Sequence, residues 1–278
     1  MESKSFDGNV ILHHVTNDTH TALYDISLWG INLSITKHVL MLWVVAAITI
    51  VIAIYATRSY RKSKDARPTK GLANLFEILM EFIKSDIVIP NIGQKGYKLW
   101  TPLIATFFLF ILVSNFIGMI PFFEKIPGVS GSSTITGNFT VTAALSMITF
   151  FSIIVAGTMK HGFIGHWKNM IPGGVPAPVL IILIPIEIMG MFIKPAALML
   201  RLGANMTAGH IGLVAIFGIP MIIFQSTQSV AIGFSVAVVS VILNTAIYFL
   251  EIIVCLVQAY VFSLLSAVFI GMAIHAEH

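Results

Sequence analysis

Four charged side chains lie inside long apolar stretches of this 278-residue sequence. They are Glu187, Lys194, Arg201 and Glu251, and beyond residue 169 the only other formally charged side chain is Glu277. An ion at the centre of a bilayer costs on the order of 2.5–3.5 kcal/mol even on the mildest scale. Charges in such positions are therefore expected to be paired or functional, and they are the first candidates for chemistry.

The spacing of these residues predicts a polar stripe on a helix. Glu187, Lys194 and Arg201 follow one another at intervals of seven residues. At about 100° per residue they share one helix face, and Asn205 lies on that face too. His210, nine positions beyond Arg201, points to the opposite side.

A second stripe is formed by Asn244, Glu251 and Gln258, which repeat the seven-residue spacing. Carboxylates and imidazoles can pass protons, whereas an arginine cannot lose its own proton, so Arg201 would be a barrier or a counter-charge in an ion path. His210 is the best relay candidate because imidazole exchanges protons near neutral pH. The alternative is that the stripes only join helices through internal hydrogen bonds and ion pairs, with Lys194 extending toward an interface.

Composition places these residues in a membrane protein. Hydrophobic residues make up 57% of the chain and charged residues only 10%, with a mean hydropathy of +0.93. A soluble domain carries roughly a quarter of charged residues, so an ordinary soluble enzyme is excluded. The single cysteine, Cys255, lies in an apolar run, which argues against a disulfide framework or a cysteine-based metal site and predicts a small buried hydrophobe.

Uncharged runs predict the membrane-crossing elements. The last two would form helices of roughly 60 Å and 80 Å, at least about twice the ~30 Å hydrocarbon layer, so each is either two upright spans or one steeply tilted helix. The turn between them is predicted at Gly218, Ile219 and Pro220. The runs cover residues 39–56, 99–123, about 139–158, 176–217 and 221–274.

Residues 71–89 predict an amphipathic helix that lies on the membrane surface or on a partner. Its apolar face carries Leu72, Leu75, Phe76, Leu79, Phe82 and Ile83, and its polar face carries Asn74, Glu77, Glu81, Lys84 and Ser85.

Basic residues predict the orientation of the chain. Lysines and arginines are concentrated after the first run and again after the third, and such loops are usually cytoplasmic. The polar N-terminal segment, residues 1–37, is then outside and the C-terminus inside. That segment lacks the pattern of a signal peptide and is expected to stay attached.

One segment carries a specific family resemblance. Residues 185–210, PIEIMGMFIKPAALMLRLGANMTAGH, resemble the signature region of bacterial subunit a of F-type ATP synthases, the stator protein that faces the rotating ring of c subunits. NFIGMIP at residues 115–121, TGNFTVTAALSMITF at residues 136–150 and the helix around ILMEFIKSDIV fit the same family. The resemblance implies an all-α polytopic membrane protein with about five membrane-crossing helices and one amphipathic surface helix. Residues 38–278 form its membrane domain, and the last two helices form a long tilted hairpin.

The resemblance also assigns roles to residues. Arg201 corresponds to the essential arginine that faces the ion-carrying carboxylate of each c subunit, and Gln258 to its polar partner on the last helix. Asn205 falls on the channel asparagine, and Glu187 on an acidic residue of the cytoplasmic half-channel. Many bacterial members have an acid at the position of His210 and a histidine at that of Glu251.

This chain exchanges those two residue types, as mitochondrial versions do, and so keeps one acid and one histidine. A second departure from the family pattern is GAN at residues 203–205, where an aromatic residue and then glycine more often precede the asparagine.

The implied function is proton translocation in the Fo sector of ATP synthase, through two half-channels that serve the ring. No cofactor or metal is expected, and the chain is not an enzyme by itself, since it has no GxxxxGK[ST] phosphate-binding motif. The implied partners are the c-subunit ring, the peripheral-stalk b subunits, the rest of the complex and the lipid bilayer, with no nucleic acid. The implied location is the inner (plasma) membrane of a bacterium, and H⁺ is favoured over Na⁺.

Three other classes compete with this interpretation. GVSG at residues 128–131 imitates the GxSG of intramembrane serine proteases, but Ser130 lies in a polar outer loop. A haem or metal redox subunit needs paired intramembrane ligands, and His210 is the only histidine well inside an apolar run. A self-contained channel or secondary transporter is the more serious alternative, and it should conduct ions alone.

Overall fold

The computed structural model describes residues 27–28, 31–32, 37–62, 71–120, 135–168 and 177–275. These residues are almost all helical, apart from short connections and one antiparallel pair of two-residue strands, β1 (Ser27–Leu28) and β2 (Ile31–Asn32). Among the described residues, five helices are long and apolar enough to cross a membrane. The predicted class, an all-α polytopic membrane protein, is confirmed.

The helices of the described residues are numbered in chain order. The five long apolar ones are α1, α4, α5, α7 and α8. The bounds are α1 (Lys37–Lys62), α2 (Leu72–Phe82), a π-helical segment (Ile83–Val88), α3 (Ile89–Ile92), α4 (Tyr97–Met119), a 3-10 turn (Ile135–Gly137), α5 (Phe139–His161), α6 (Phe163–Lys168), α7 (Ala177–Thr227) and α8 (Val230–Ile274).

The predicted turn at residues 218–220 is wrong. Helix α7 continues through Pro220 to Thr227, and the break comes at Gln228, which has a φ of 52°. The Gln228 backbone N–H donates to the carbonyl of Phe224 at 2.9 Å and closes the helix. In lipid every backbone group must be bonded internally, so a proline inside a membrane helix does not end it. The polar run QSTQS at residues 225–229 was the better sign of a turn.

Each long run is thus one continuous helix, of 51 residues in α7 and 45 in α8. At 1.5 Å per residue these helices measure roughly 75 Å and 65 Å. An apolar helix of that length fits a layer of about 30 Å only when it is steeply tilted. Continuity therefore supports the tilted alternative over two upright spans in each run.

The predicted surface helix is present but is not uniform. Helix α2 leads into the π-helical segment, in which the Ile89 N–H donates to the carbonyl of Lys84. Pro90 follows at once, and its ring would crowd the carbonyl of Asp86 in a regular α-helix, so the wider turn relieves that contact. On the predicted apolar face Ile83 is fully buried within the chain, whereas Leu75 is exposed.

The chain divides into two compact units. The first comprises Met1–Val45, Leu112–Asn138 and Leu202–Gln258, and the second comprises Ala46–Ile111, Phe139–Arg201 and Ala259–His278. Helices α1, α4, α7 and α8 each contribute to both units, since a boundary falls within each of them.

Aromatic pairs and hydrogen bonds hold the described part of the second unit together around the end of α8. Thr149 and Ser266, both fully buried, share a hydrogen bond of 3.2 Å between α5 and α8. Two ring pairs join α2 and α4 to α8: the centroids of Phe82 and Tyr260 are 6.0 Å apart, and those of Phe107 and Phe262 are 5.4 Å apart. A third pair joins α5 to α7, with the centroids of Phe150 and Phe192 5.4 Å apart.

A close backbone contact of α8 in this unit predicts a stability defect. A Cβ added at Gly271 of α8 would fall on the carbonyl oxygen of Asn91, which is backbone and cannot rotate away. We expect Gly271→Ala to lower the free energy of unfolding by about 1–3 kcal/mol, seen as a lower aggregation midpoint of the purified complex. Gly190→Ala is the matched control, because nothing lies within 4 Å of that added Cβ. Equal midpoints for the two variants would contradict this packing.

Candidate functional site

Glu251 occupies the most unusual position in the first unit. Its side chain is buried on α8, with only 7% of the residue exposed. It packs directly on Gly209 of α7, since a Cβ added there would fall on the carboxylate oxygen Oε1. Within the described residues, the other oxygen, Oε2, is buried without a hydrogen-bond partner. Burying such a group is costly unless it is used, so Glu251 is a strong functional candidate.

The structure brings the acid and the histidine to neighbouring positions. His210 directly follows Gly209, on which Glu251 packs, and it is half-buried. The predicted stripe on α8 lies on a packed face, since Asn244 is half-buried while Glu251 and Gln258 are buried. Asn205 is exposed on α7.

A buried asparagine fixes the helix turn that follows Glu251. Asn115 is fully buried on α4, and its Nδ2 donates to the carbonyl of Cys255 at 3.2 Å. The Thr136 hydroxyl in turn donates to Asn115 Oδ1 at 2.6 Å. These bonds join α4, the 3-10 turn and α8. Sequence reasoning assigned Asn115 no role, although a polar residue inside an apolar run was the same signal that singled out Glu251.

Two further side-chain hydrogen bonds hold the helices near Glu251 and His210. The Tyr248 hydroxyl on α8 donates to the carbonyl of Met119, at the end of α4, at 3.1 Å. The Thr207 hydroxyl on α7 donates to the carbonyl of Gly137 at 3.1 Å. Helices α4, α7 and α8 are thereby held by buried or half-buried hydrogen bonds within about one turn of Glu251 and His210.

The second unit carries the charged stripe of α7. Arg201 and Glu187 are exposed, whereas Lys194 is half-buried with Nζ 5.8 Å from the centroid of the Phe269 ring. That geometry is a cation–π contact and gives Lys194 a structural role. In the most apolar stretch of α7 only 6% of residues are buried, against 56% in α4. Arg201 and Glu187 therefore lie on a helix that the described chain leaves mostly uncovered.

Comparison with known proteins decides the family. A family model described as ATP synthase A chain matches residues 39–271. The chain belongs to the ATP synthase subunit a family.

Curated members of the subunit a family extend the match over nearly the whole chain. ATP synthase subunit a of Chloroherpeton thalassium is 41% identical over 254 residues, which are 91% of this chain and 71% of that protein. ATP synthase subunit a 2 of Chlorobaculum tepidum is 40% identical over 96% of this chain and 73% of its own length. ATP synthase subunit a of Anaeromyxobacter dehalogenans is 35% identical over 95% of this chain and 70% of its own length. The resemblance read from residues 185–210 is confirmed.

The contact beneath Glu251 gives a prediction for this subunit a. In Gly209→Ala the new methyl group must displace the Glu251 carboxylate, so we expect ATP-driven proton pumping to fall roughly tenfold or more at an unchanged level of assembled complex. Dye quenching in membrane vesicles measures the pumping. Gly212→Ala on the same helix is the matched control, since nothing lies within 4 Å of its added Cβ. Full pumping by Gly209→Ala would show that the position of this carboxylate is unimportant.

Proposed function

We propose that this subunit a is the proton-translocating stator of the Fo sector, which couples proton flow to rotation of a c-subunit ring and to ATP synthesis. The observation that carries the proposal is the exposed Arg201 on α7, an apolar helix that the described chain leaves mostly uncovered. A fixed charge in an apolar stretch is expected to be functional, and in this proposal Arg201 faces the carboxylate of each passing c subunit.

The outer half-channel uses His210, Glu251 and Asn205. These residues deliver protons from outside to the ring carboxylate, which becomes neutral and can turn through lipid. Two observations support this assignment. Oε2 of Glu251 is buried without a hydrogen-bond partner among the described residues. Oε1 packs on Gly209, the residue before His210. Gln258, buried on the same face of α8, is the polar partner of Arg201 in this scheme.

The inner half-channel opens near Glu187. When the ring carboxylate arrives there, the positive charge of Arg201 favours its ionised form, and the proton leaves to the inside. The same charge stops protons from passing directly between the half-channels, because an arginine does not release its own proton. Torque follows from this asymmetry and the proton-motive force.

The setting of the subunit follows from its basic loops and its family. Residues 1–37 lie on the outer side of the membrane and the C-terminus lies in the cytoplasm. Residues 38–278 form the membrane domain in the bacterial inner membrane. The c-ring and the peripheral-stalk b subunits are its partners, and nucleotide chemistry belongs to other subunits of the complex. Most of residues 1–37 lie outside the described ranges.

Isolation of the chain from its native membrane in mild detergent tests this proposal. We expect a very small, highly apolar protein to copurify as an SDS-resistant oligomer and to carry one carboxylate in the middle of a helix. Mass spectrometry of the excised band identifies that carboxylate. A stable preparation that contains this chain without any such oligomer would contradict the stator role.

A further inference from the structure

Three sulfur-containing residues pack together in the core of the first unit. Met119 of α4, Met206 of α7 and Cys255 of α8 form one packed cluster, with 6%, 4% and 1% of each residue exposed. The Cys255 thiol donates to Met119 Sδ, with the two sulfurs 3.2 Å apart. Three helices thus each contribute one sulfur-containing side chain, and Ile252 and Val254 pack against the cluster.

We propose that this cluster is a binding site for a soft monovalent metal ion, Cu(I) or Ag(I). Two thioethers and one thiolate are the ligands that such ions prefer, and the apolar surroundings disfavour hard cations, which keep their water. The sequence argued against a cysteine-based site because only one cysteine is present. The structure adds two methionines from distant parts of the chain, which no local motif could reveal.

The ligands are held in place before any metal arrives. The Met119 carbonyl accepts a hydrogen bond from Tyr248, and the Cys255 carbonyl accepts one from Asn115. These bonds fix the backbone that carries two of the three sulfurs. Outer partners that orient ligands in this way contribute to metal affinity.

Binding exchanges a metal ion for a proton. The S–H bond of Cys255 breaks, the sulfur keeps the electron pair and bonds to the metal, and the proton moves to a base. Glu251 lies one helical turn earlier, and its Oε2 has no hydrogen-bond partner among the residues that the structure describes. The proton passes to that oxygen, so the metal thiolate and the carboxyl are both neutral.

Occupation of the site would link α4, α7 and α8 one turn away from Glu251. If the proposed outer half-channel is correct, this link halts proton delivery, so soft metals inhibit the pump. The inhibition rests on the proposed function, whereas metal binding does not.

Silver ions applied in chloride-free buffer to the intact complex test both statements. Bound silver is counted by elemental mass spectrometry after desalting, and ATP-driven proton pumping is measured in liposomes. Cys255→Ser should bind one silver ion fewer per complex and need at least about tenfold more silver for half-inhibition. Met206→Leu, which conserves volume, should raise the half-inhibiting concentration about tenfold. Met189→Leu, on an exposed part of α7, is the control and should change neither value.

An unchanged silver count in Cys255→Ser would overturn the site. An unchanged half-inhibiting concentration in Met206→Leu would overturn the three-sulfur arrangement, because the other ligands would then account for the binding. Loss of one silver ion with unchanged inhibition would retain the metal site and overturn its link to the proton route. A complex that does not pump at all contradicts the proposed function, and the silver count then decides the metal site alone.

Discussion

Arg201→Ala is expected to reduce proton-driven ATP synthesis by the reconstituted complex by roughly 100-fold or more. In the proposed mechanism, the ring carboxylate without this fixed positive charge keeps its proton at the inner half-channel, and rotation loses its direction. The same change would remove the proposed barrier between the half-channels, so passive proton leak through Fo is expected to rise. Synthesis under an imposed proton gradient and leak under a potassium diffusion potential are the two measurements.

A matched variant separates this effect from a general loss of positive charge. Arg58 is exposed near the end of α1, outside both polar stripes, and Arg58→Ala should leave synthesis and leak unchanged. Coupled synthesis at the normal rate in Arg201→Ala, at the same level of assembled complex, would refute the role of Arg201.

Exchange of His210 and Glu251 is expected to restore activity that either single change removes. In this pair of positions, His210→Glu alone leaves two carboxylates and no imidazole, and Glu251→His alone leaves two imidazoles and no acid. Each single variant should pump protons at least about tenfold more slowly than the unmodified complex, since a positioned proton-transfer group contributes at least that factor to the rate. The double variant keeps one acid and one imidazole and should pump several-fold faster than either.

The packing on Gly209 supplies the structural reason for this rescue. The carboxylate of Glu251 touches α7 at Gly209, the residue directly before His210. Initial rates of dye quenching, normalised to assembled complex, measure the effect. A double variant no faster than the faster single variant would show that the two residues act separately.

Much of the fold could be predicted from charge and length. A charged residue in lipid is costly, so uncharged runs located the five long helices and the amphipathic pattern located α2. The boundary between α7 and α8 was missed because Pro220 is a turn signal in water and not in a membrane helix. The π-helical segment before Pro90 was missed because hydrophobic periodicity does not report how a helix turn widens.

Sequence could predict those parts of the site where a single polar residue stands in an apolar run. It could not predict those parts that depend on contacts between helices. The sequence placed Glu251 and Gln258 on one stripe, and both are buried on α8. It could not show that Gly209 leaves room for the Glu251 carboxylate, or that Asn115 bonds to the Cys255 carbonyl 140 residues away. Such contacts depend on which helices meet, and helical periodicity within one segment carries no information about that.

Proton flux through this subunit with and without its ring tests the stator role most directly. The purified chain, and the same chain assembled with its c-ring as Fo, are placed in liposomes under an identical potassium diffusion potential, and internal acidification is followed by a pH dye. We predict no flux above protein-free liposomes for the chain alone, and rapid flux for Fo that is blocked when the ring carboxylate is modified. Rapid proton flux through the chain alone would contradict the stator role and indicate a self-contained channel or transporter.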